Sequence, residues 1–587
     1  MKLDTPMTKQ LWLRFLPILL GFFTVLTGDQ CSVNAGTTSV LGATWSGKRI
    51  PVFYSDNWHD PNTDLRRIAI LVRPQRTSSW SGKHVLDIFC KRYADTYANR
   101  LAIAVVYPAS DQNPDANRGS EPEITTFPPS GTAYNTPNAY AQHIWRWLGL
   151  QGPDLGIELV ISPECKGGLS VGQNHYLPEH TVPFPLKQWP VDSLAAAAAN
   201  HSIVGFGRIP FLLWEGPVDH LADDLSVILS KVIKETPSIV SEAAAHRKSR
   251  SRRSPEVVIR QLLEHYGDHL SSVAYIPSLA VMARLRYAVD KQDYDQIQYV
   301  QSLVQPYLDG GEDSTPKNGS SIAGHLIFTD LASLIDDQAA QRKYLEAARR
   351  ASDLPFRDGK DALRSPGFLM PFHVEMSDAV FMGGPILAAM GRLTGDSRYF
   401  TLCMKHLSNT RKLNLRSDGI YRHSPLDETA WGRGNGFPAL GQALCLSDLP
   451  SEFPGYNKLV KETIRHLDAL VGYQDISGCW HQIVDHEDSY TEFTSTCMIG
   501  FSMTRGIRRG WLSEQKYRSA VEKAWHAIRS RISSDGTLFD VCTGTGKQRS
   551  VGDYYNRTAI LGSDDRGGAM ALLFALELHQ SQLLVSP

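Results

Sequence analysis

Apolar positions divide the chain into two halves with different periods. Between about 36 and 245, short apolar runs rich in β-branched residues alternate with helical stretches. Arg67–Val72, Leu101–Tyr107 and Ile157–Ile161 are such runs, each long enough for one buried strand. Between them, 85–99 and 137–148 repeat apolar residues at helical spacing. That alternation predicts an α/β domain with a parallel sheet and helices on its faces.

Beyond 255 the strand signals thin out and long amphipathic helices take over. One phrase recurs: an apolar helix, a short acidic turn, then a Tyr opening the next helix. It stands at Asp290-Lys291-Gln292-Asp293-Tyr294, at Thr394-Gly395-Asp396-Ser397-Arg398-Tyr399 and, more weakly, at Glu514-Gln515-Lys516-Tyr517. Self-similarity at this spacing predicts stacked helical hairpins. The economical arrangement over 255–582 is an all-α (α/α)6 barrel whose site lies at the mouth, where loops gather. The two halves meet at His246-Arg247-Lys248-Ser249-Arg250-Ser251-Arg252-Arg253, and the basic, Ser-rich stretch 246–254 reads as an exposed linker. Ser254-Pro255-Glu256 then carries a helix-start signal: a Ser cap, Pro at the first position and an early Glu.

Composition narrows the function classes. A chain of 587 residues exceeds one ordinary core, so two domains are expected. The formal net charge of -1 argues against a nucleic-acid partner, which would demand an excess of Lys and Arg. Affinity for any acidic ligand must therefore be local. Lys2, Lys9 and Arg14 precede an uncharged apolar run, Phe15–Leu26, that is too short to span a bilayer. With small residues at Val33-Asn34-Ala35, residues 1–35 read as a signal peptide, which implies a secreted or periplasmic protein with no membrane span after its removal. Eight cysteines without CxxC spacing speak against a zinc site, and no His, Asp or Glu cluster has metal-ligand spacing, so neither metal nor cofactor is expected. Cys479 and Cys497 flank a motif-rich segment and are open to pairing.

Three segments are unusual for plain helical packing. Ser377-Asp378-Ala379-Val380-Phe381-Met382-Gly383-Gly384-Pro385 places an acid just before an apolar helix, where Asp378 is either an N-cap or a functional carboxylate. The segment from Asp418 to Phe437 crowds His423, Asp427, Glu428, Trp431, Arg433 and Asn435 among glycines, which allow close approach of a ligand. The segment from Asp475 to Thr496 sets Trp480 beside His481 and Gln482: an apolar face for a sugar ring and polar edges for hydroxyls.

These residues carry a resemblance. Ala430-Trp431-Gly432-Arg433-Gly434-Asn435-Gly436-Phe437 resembles the W-G-R-G-N-G-W signature of unsaturated rhamnogalacturonyl hydrolases, glycoside hydrolase family 105, relatives of the family 88 unsaturated glucuronyl hydrolases. Asp378–Pro385, Gly478–Asp485, Asp540–Gly546 and Gly567-Gly568-Ala569 resemble further motifs of that family, in the same order, over roughly 255–582. Two departures bear on leaving-group preference: Ser-Pro-Leu separates His423 from Asp427, and Phe437 replaces the last Trp. The resemblance implies an (α/α)6 barrel enzyme acting on an unsaturated, pectin-type oligosaccharide. In it Asp427 would be general acid and base and Asp378 would assist, with Glu428 a rival. Arg433, His423, Trp431, Trp480 and His481 would bind the sugar. A different glycosidase or lyase on the same barrel, or a glycan-binding protein with a degenerate site, are the other readings.

The N-terminal half offers weaker signals. Gly168-Leu169-Ser170-Val171-Gly172 matches G-x-S-x-G but lacks the flanking strand-then-helix pattern of a nucleophile elbow. The 113–118 run, Pro128-Pro129 and the 137–148 helix are faintly similar to zinc carboxypeptidases, without metal ligands at Val72-Arg73-Pro74.

Overall fold

The computed structural model describes residues 36–43, 47–60, 63–73, 85–87, 96–97, 99–107, 131–134, 139–162, 167–171, 186–188, 190, 193–200, 206–235, 241–356 and 375–584. The expected signal peptide and the 113–118 and 128–129 motifs lie outside them. In the N-terminal half, β1 (Gly36–Ala43), β2 (Arg49–Ser55), β3 (Arg66–Val72), β4 (Leu101–Val106), β6 (Leu155–Ile161), β7 (Gly168–Val171), β8 (Leu186–Gln188) and β9 (Phe211–Gly216) form one sheet, in the order β1-β2-β4-β3-β6-β9-β7-β8. Its centre, β4-β3-β6-β9, is parallel, as the continuous apolar runs require. The sheet departs from the expected all-parallel form at its edges, where β1 and β2 join antiparallel and β7 runs antiparallel to β9. Helices α1 (Ala139–Gln151), α2 (Leu194–Asn200), α3 (Val218–Glu235) and α4 (Glu242–Ser251) accompany it. Gly168–Val171 of the G-x-S-x-G segment form β7, where Ser170 pairs with Leu213.

The stretch 246–254 is not an exposed linker. Residues 242–251 are helix α4, and Arg247, Arg250 and Arg253 are buried. Burial is tolerated because each guanidinium finds an acceptor or a ring. Arg247 faces Asp154 at 3.5 Å, Arg250 donates to Ser530 O and lies over Phe206, and Arg253 reaches Arg529 O, Ile532 O and Gln261.

The C-terminal half is helical, with α5 (Pro255–Leu263), α6 (Tyr275–Lys291), α7 (Tyr294–Leu308), α8 (Gly319–Gly324), α9 (Leu326–Leu334), α10 (Gln338–Ser352), α11 (Ala379–Thr394), α12 (Ser397–Asn414), α13 (Gly432–Asp448), α14 (Tyr456–Val471), α15 (Phe493–Arg508), α16 (Glu514–Ser530), the short α17 (Val551–Tyr555) and α18 (Asp565–Ser581). Ser254 caps α5 by accepting from Val257 N, as its signal predicts. The recurring acidic turn has the same meaning twice: Asp293 and Asp396 cap α7 and α12. Helices alternate in character. From Gly432 to Leu446, α13 is buried on nearly every side, whereas α14 buries only Leu459, Thr463, His466, Leu467 and Leu470, a single stripe. The more deeply buried helices pack on one another in sequence: α6 on α9, α9 on α11, α11 on α13, α13 on α15, α15 on α18 and α18 on α6. Each also packs on one striped partner: α7, α10, α12, α14, α16 and α5 respectively.

The halves are joined by shared structure. Strand β5 (Gly131–Tyr134) of the first half pairs with β13 (Ala559–Gly562), itself paired with β12 (Leu538–Cys542). Beside this sheet, Arg146 of α1 grips Asp540 through Nε at 2.5 Å and Nη2 at 2.7 Å, both side chains fully buried. Asp540 has φ +70, a strained conformation for a non-glycine, and Arg531 holds it from the other side. Cys479 and Cys497 are both buried and free, so the disulfide left open by the sequence is not formed.

Candidate functional site

Loops entering α11, α13 and α15 gather at one end of the helical domain, and the signature that opens α13 holds them there. Asn435 clamps the loop ahead of it: Oδ1 accepts from Tyr421 N, and Nδ2 donates to Tyr421 O and Trp431 O. Arg433 donates to Cys542 O and Thr543 O and lies 3.9 Å from Glu492. Glu492 in turn caps α15 through Thr494 N and Ser495 N and accepts from Cys542 N. The glycines serve packing. A Cβ on Gly432 would meet His481 O at 2.5 Å, and one on Gly441 would meet the Phe381 backbone at 2.8 Å. They bring helices and loops together rather than opening backbone to a ligand, which corrects the sequence-based expectation.

Four of the expected sugar-binding side chains are consumed by this scaffold. Arg433 is 2% exposed and its guanidinium is committed to carbonyls and Glu492, which raises its already high pKa despite burial. It is a brace, not a clamp for a substrate carboxylate. Trp480 is fully buried, with Nε1 donating to Leu470 O, and His481 is buried between Ser489 O and Asp475. Trp431 has Arg433 at 4.5 Å from its ring and the His423 ring on it at 4.5 Å, so neither face is open to a sugar. Residue type alone did not separate these from true ligand contacts, because aromatic, Arg and His side chains suit both tasks.

What the structure does bring together is Asp378, His423, Trp431 and Tyr554, with Asp427 close by. Asp378 precedes α11 but makes no capping hydrogen bond; its Oδ1 faces His423 Nε2 at 3.4 Å. The backbone holds this meeting: Ser377 N donates to His423 O, and His423 N donates to Thr429 O. The other ring nitrogen, His423 Nδ1, lies 2.8 Å from the Tyr554 hydroxyl. Burial first, then the charges of Asp427 and Asp378, push the Tyr554 pKa upward, so the hydroxyl stays protonated. Its oxygen accepts from Gln548 N, leaving its hydrogen for His423 Nδ1. That assigns the His423 proton to Nε2, pointing at Asp378. Asp427, half-buried, accepts through Oδ1 from both Thr429 N, at 2.8 Å, and the Thr429 hydroxyl. Beside it Leu426 is 51% exposed, so this edge of the site faces solvent. Glu428, the rival acid, is turned outward and paired with Arg422.

The sequence reading missed Tyr554 and Lys547. Lys547 sits one residue before Gln548, with its ammonium 3.5 Å from Glu375. Neither lies in a segment dense with chemistry; the position of each depends on β12, β13 and the loop between them. Buried polar atoms at this end that lack a hydrogen-bond partner among the described residues include Asp378 Oδ1, His423 Nε2, Trp431 Nε1 and Gln482 Oε1. Such groups are costly unless a ligand or water completes them. Among the described residues no His, Cys, Asp or Glu group is arranged to hold a metal.

Two carboxylates, an ordered imidazole and a protonated tyrosine at the loop end of a helical-hairpin domain are groups suited to proton-transfer chemistry. The sequence profile described as Glycosyl Hydrolase Family 88 matches residues 271–582, and the chain belongs to that family. The chain is 26% identical over 284 residues to the unsaturated rhamnogalacturonyl hydrolase YesR of Bacillus subtilis, covering 46% of this chain and 78% of that protein. It is 27% identical over 174 residues to an unsaturated 3S-rhamnoglycuronyl hydrolase of an Alteromonas species, covering 28% of this chain and 42% of the relative, less than half its length. A solved structure of a possible GH105 member from Klebsiella pneumoniae superposes with TM-score 0.49 at 20% identity, covering 56% of this chain and 93% of that one.

Proposed function

We propose that the protein is an unsaturated uronyl hydrolase, which removes a terminal Δ4,5-unsaturated uronic acid from lyase-generated oligosaccharides of the rhamnogalacturonan type. The observation that carries this reading is the placement of two carboxylates, Asp427 and Asp378, around one protonated tyrosine, with His423 ordered between Tyr554 and Asp378. The order of the helix packing supports a closed (α/α)6 barrel with this cluster at its mouth. The charged and then apolar stretch within 1–35 supports export.

The chemistry follows from the substrate. A C4–C5 double bond conjugated to the ring oxygen accepts a proton at C4, leaving a cation shared by C5 and the ring oxygen. Asp427 supplies that proton from Oδ2, since Thr429 occupies Oδ1. The resulting carboxylate takes a proton from water as the water oxygen bonds to C5. The hemiketal so formed opens to a ketone, and the aglycone leaves. This is hydration, not displacement at C1, so carboxylate spacing carries no stereochemical rule here. Asp378, faced by His423 Nε2 at 3.4 Å, orients the sugar edge, and Lys547, 3.5 Å from Glu375, supplies a cation for the uronate carboxyl. Asp427→Asn removes the acid and base but keeps the shape. The variant is expected to lose about 10²–10⁴-fold in kcat on an unsaturated rhamnogalacturonan disaccharide, read as slower loss of the ultraviolet absorbance of the double bond. Full activity in this variant would sink the proposal.

A further inference from the structure

A second site lies between the two halves, away from the catalytic cluster. A cavity of about 70 Å³ is enclosed by the turn after β2, by β3, by α4 and by α16. Four cationic side chains, Arg67, Arg247, Lys248 and Arg531, stand on its wall with two imidazoles, His59 and His526, which burial pushes down and keeps uncharged at neutral pH. None of the described wall residues is acidic. Like charges are not crowded into a low-dielectric space without a counter-charge, because the repulsion and the lost hydration both oppose it.

The acids that act on these cations, Asp60, Asp154, Asp475 and Asp540, all stand behind the wall rather than on it. Asp154 accepts from Arg67 N and stands 3.5 Å from one Arg247 nitrogen. Asp540 serves Arg531 but is shared with Arg146. Arg67 and Arg247 are each only 8% exposed, and the Nε of both has no hydrogen-bond partner among the described residues. His59 Nε2 and His526 Nδ1 are likewise buried without a partner among them. Burial, and then Arg529, Arg67, His59 and Arg531 together, push His526 down to about 3. Ser477, beside Asp475, adds a buried hydroxyl to the wall. These groups come from five separate segments, the turn after β2, β3, α4, the Ser477 loop and α16, and line one volume. They outnumber what a flat carboxylate accepts, and they match the many acceptor lone pairs of a tetrahedral oxyanion.

We propose that this interdomain cavity binds a tetrahedral oxyanion, a phosphate or sulfate group, which ties the N-terminal α/β half to the helical half. The site extends to Ser477, on the loop whose Asp475 faces His481, so the anion also steadies a loop at the catalytic end of the helical domain. The group is either a free ion or a sulfate ester on a glycan; both present the same oxygens.

The test uses the full chain and thermal unfolding at neutral pH. Sodium sulfate and sodium phosphate are titrated against sodium chloride at matched ionic strength. The midpoint is expected to rise with the oxyanions and not with chloride, because a ligand that binds only the folded state stabilises it by mass action. In Arg67→Gln and Arg247→Gln the apparent Kd is expected to weaken by about tenfold or more, since each removes a charge-assisted donor. Lys248→Gln, on a half-exposed helix position, gives a third reading should either buried variant fold poorly. Glucose 6-sulfate distinguishes the sources: competition with sulfate identifies an ester, and a response to the inorganic ions alone identifies a free ion. The proposal is overturned if sulfate and phosphate shift the midpoint no more than chloride. It is equally overturned if the shift survives in the variants that fold.

Discussion

Removing one hydroxyl tests the arrangement at the catalytic end most sharply. Tyr554→Phe keeps the ring and its edge contact with His423, 5.7 Å between centroids, and deletes the donor 2.8 Å from Nδ1. His423 is fully buried, so Nδ1 is left without a partner and with no route to water. An unsatisfied buried acceptor of this kind costs about 1–3 kcal/mol. The imidazole escapes part of that cost by moving its proton to Nδ1, which turns Nε2 into an acceptor facing the Asp378 oxygen 3.4 Å away. Two acceptors then face each other where a donor and an acceptor stood. If the same 1–3 kcal/mol is lost from the transition state, kcat/KM falls by about 5- to 150-fold. The assay is loss of double-bond absorbance with an unsaturated uronyl disaccharide, run on Tyr554→Phe, His423→Gln and the double variant. A tyrosine that acts through the imidazole costs little once the imidazole is gone, so the two effects must be strongly non-additive. Simple additivity, or a Tyr554→Phe enzyme as fast as the wild type, refutes the tautomer argument.

Two further outcomes follow from buried charge. Arg146→Met leaves the strained Asp540 carboxylate short of a partner; a cut buried pair costs about 3–5 kcal/mol, and the thermal midpoint should fall by several degrees, with loosened docking of the α/β half seen by limited proteolysis. His466 is held near 3 by burial, well below its unfolded value of about 6.5. The folded state therefore binds fewer protons than the unfolded state, so the stability is fully present above about pH 6.5 and drains away as pH falls toward about 3. Each such imidazole withdraws about 2 kcal/mol by pH 5, and His466→Gln should flatten the acid limb of a stability-versus-pH curve; an unchanged limb would rule out His466 as a contributor.

Much of the scaffold was legible in the sequence because it rests on short-range rules. Period and composition located three of the four central strands within a residue or two, β9 being missed, and acidic turns marked the starts of α7 and α12 because an N-cap carboxylate answers free N–H groups wherever it stands. The family motifs also pointed to the segments that open α11, α13 and α15. Three things lay beyond local pattern. The basic run at 246–254 becomes a buried helix end only because Asp154, Ser530 O and Ile532 O, far apart in the chain, supply its acceptors. Trp431, Arg433, Trp480 and His481 have the chemistry of a sugar site, yet close packing of α13 and β10 (Trp480–His481) turns them inward. Tyr554 becomes part of the site only because β12 and β13 carry its loop back over His423, 131 residues away. Residue type sets what a side chain is able to do; whether it faces a ligand, a carbonyl or a neighbouring ring is decided by which distant segments share its space.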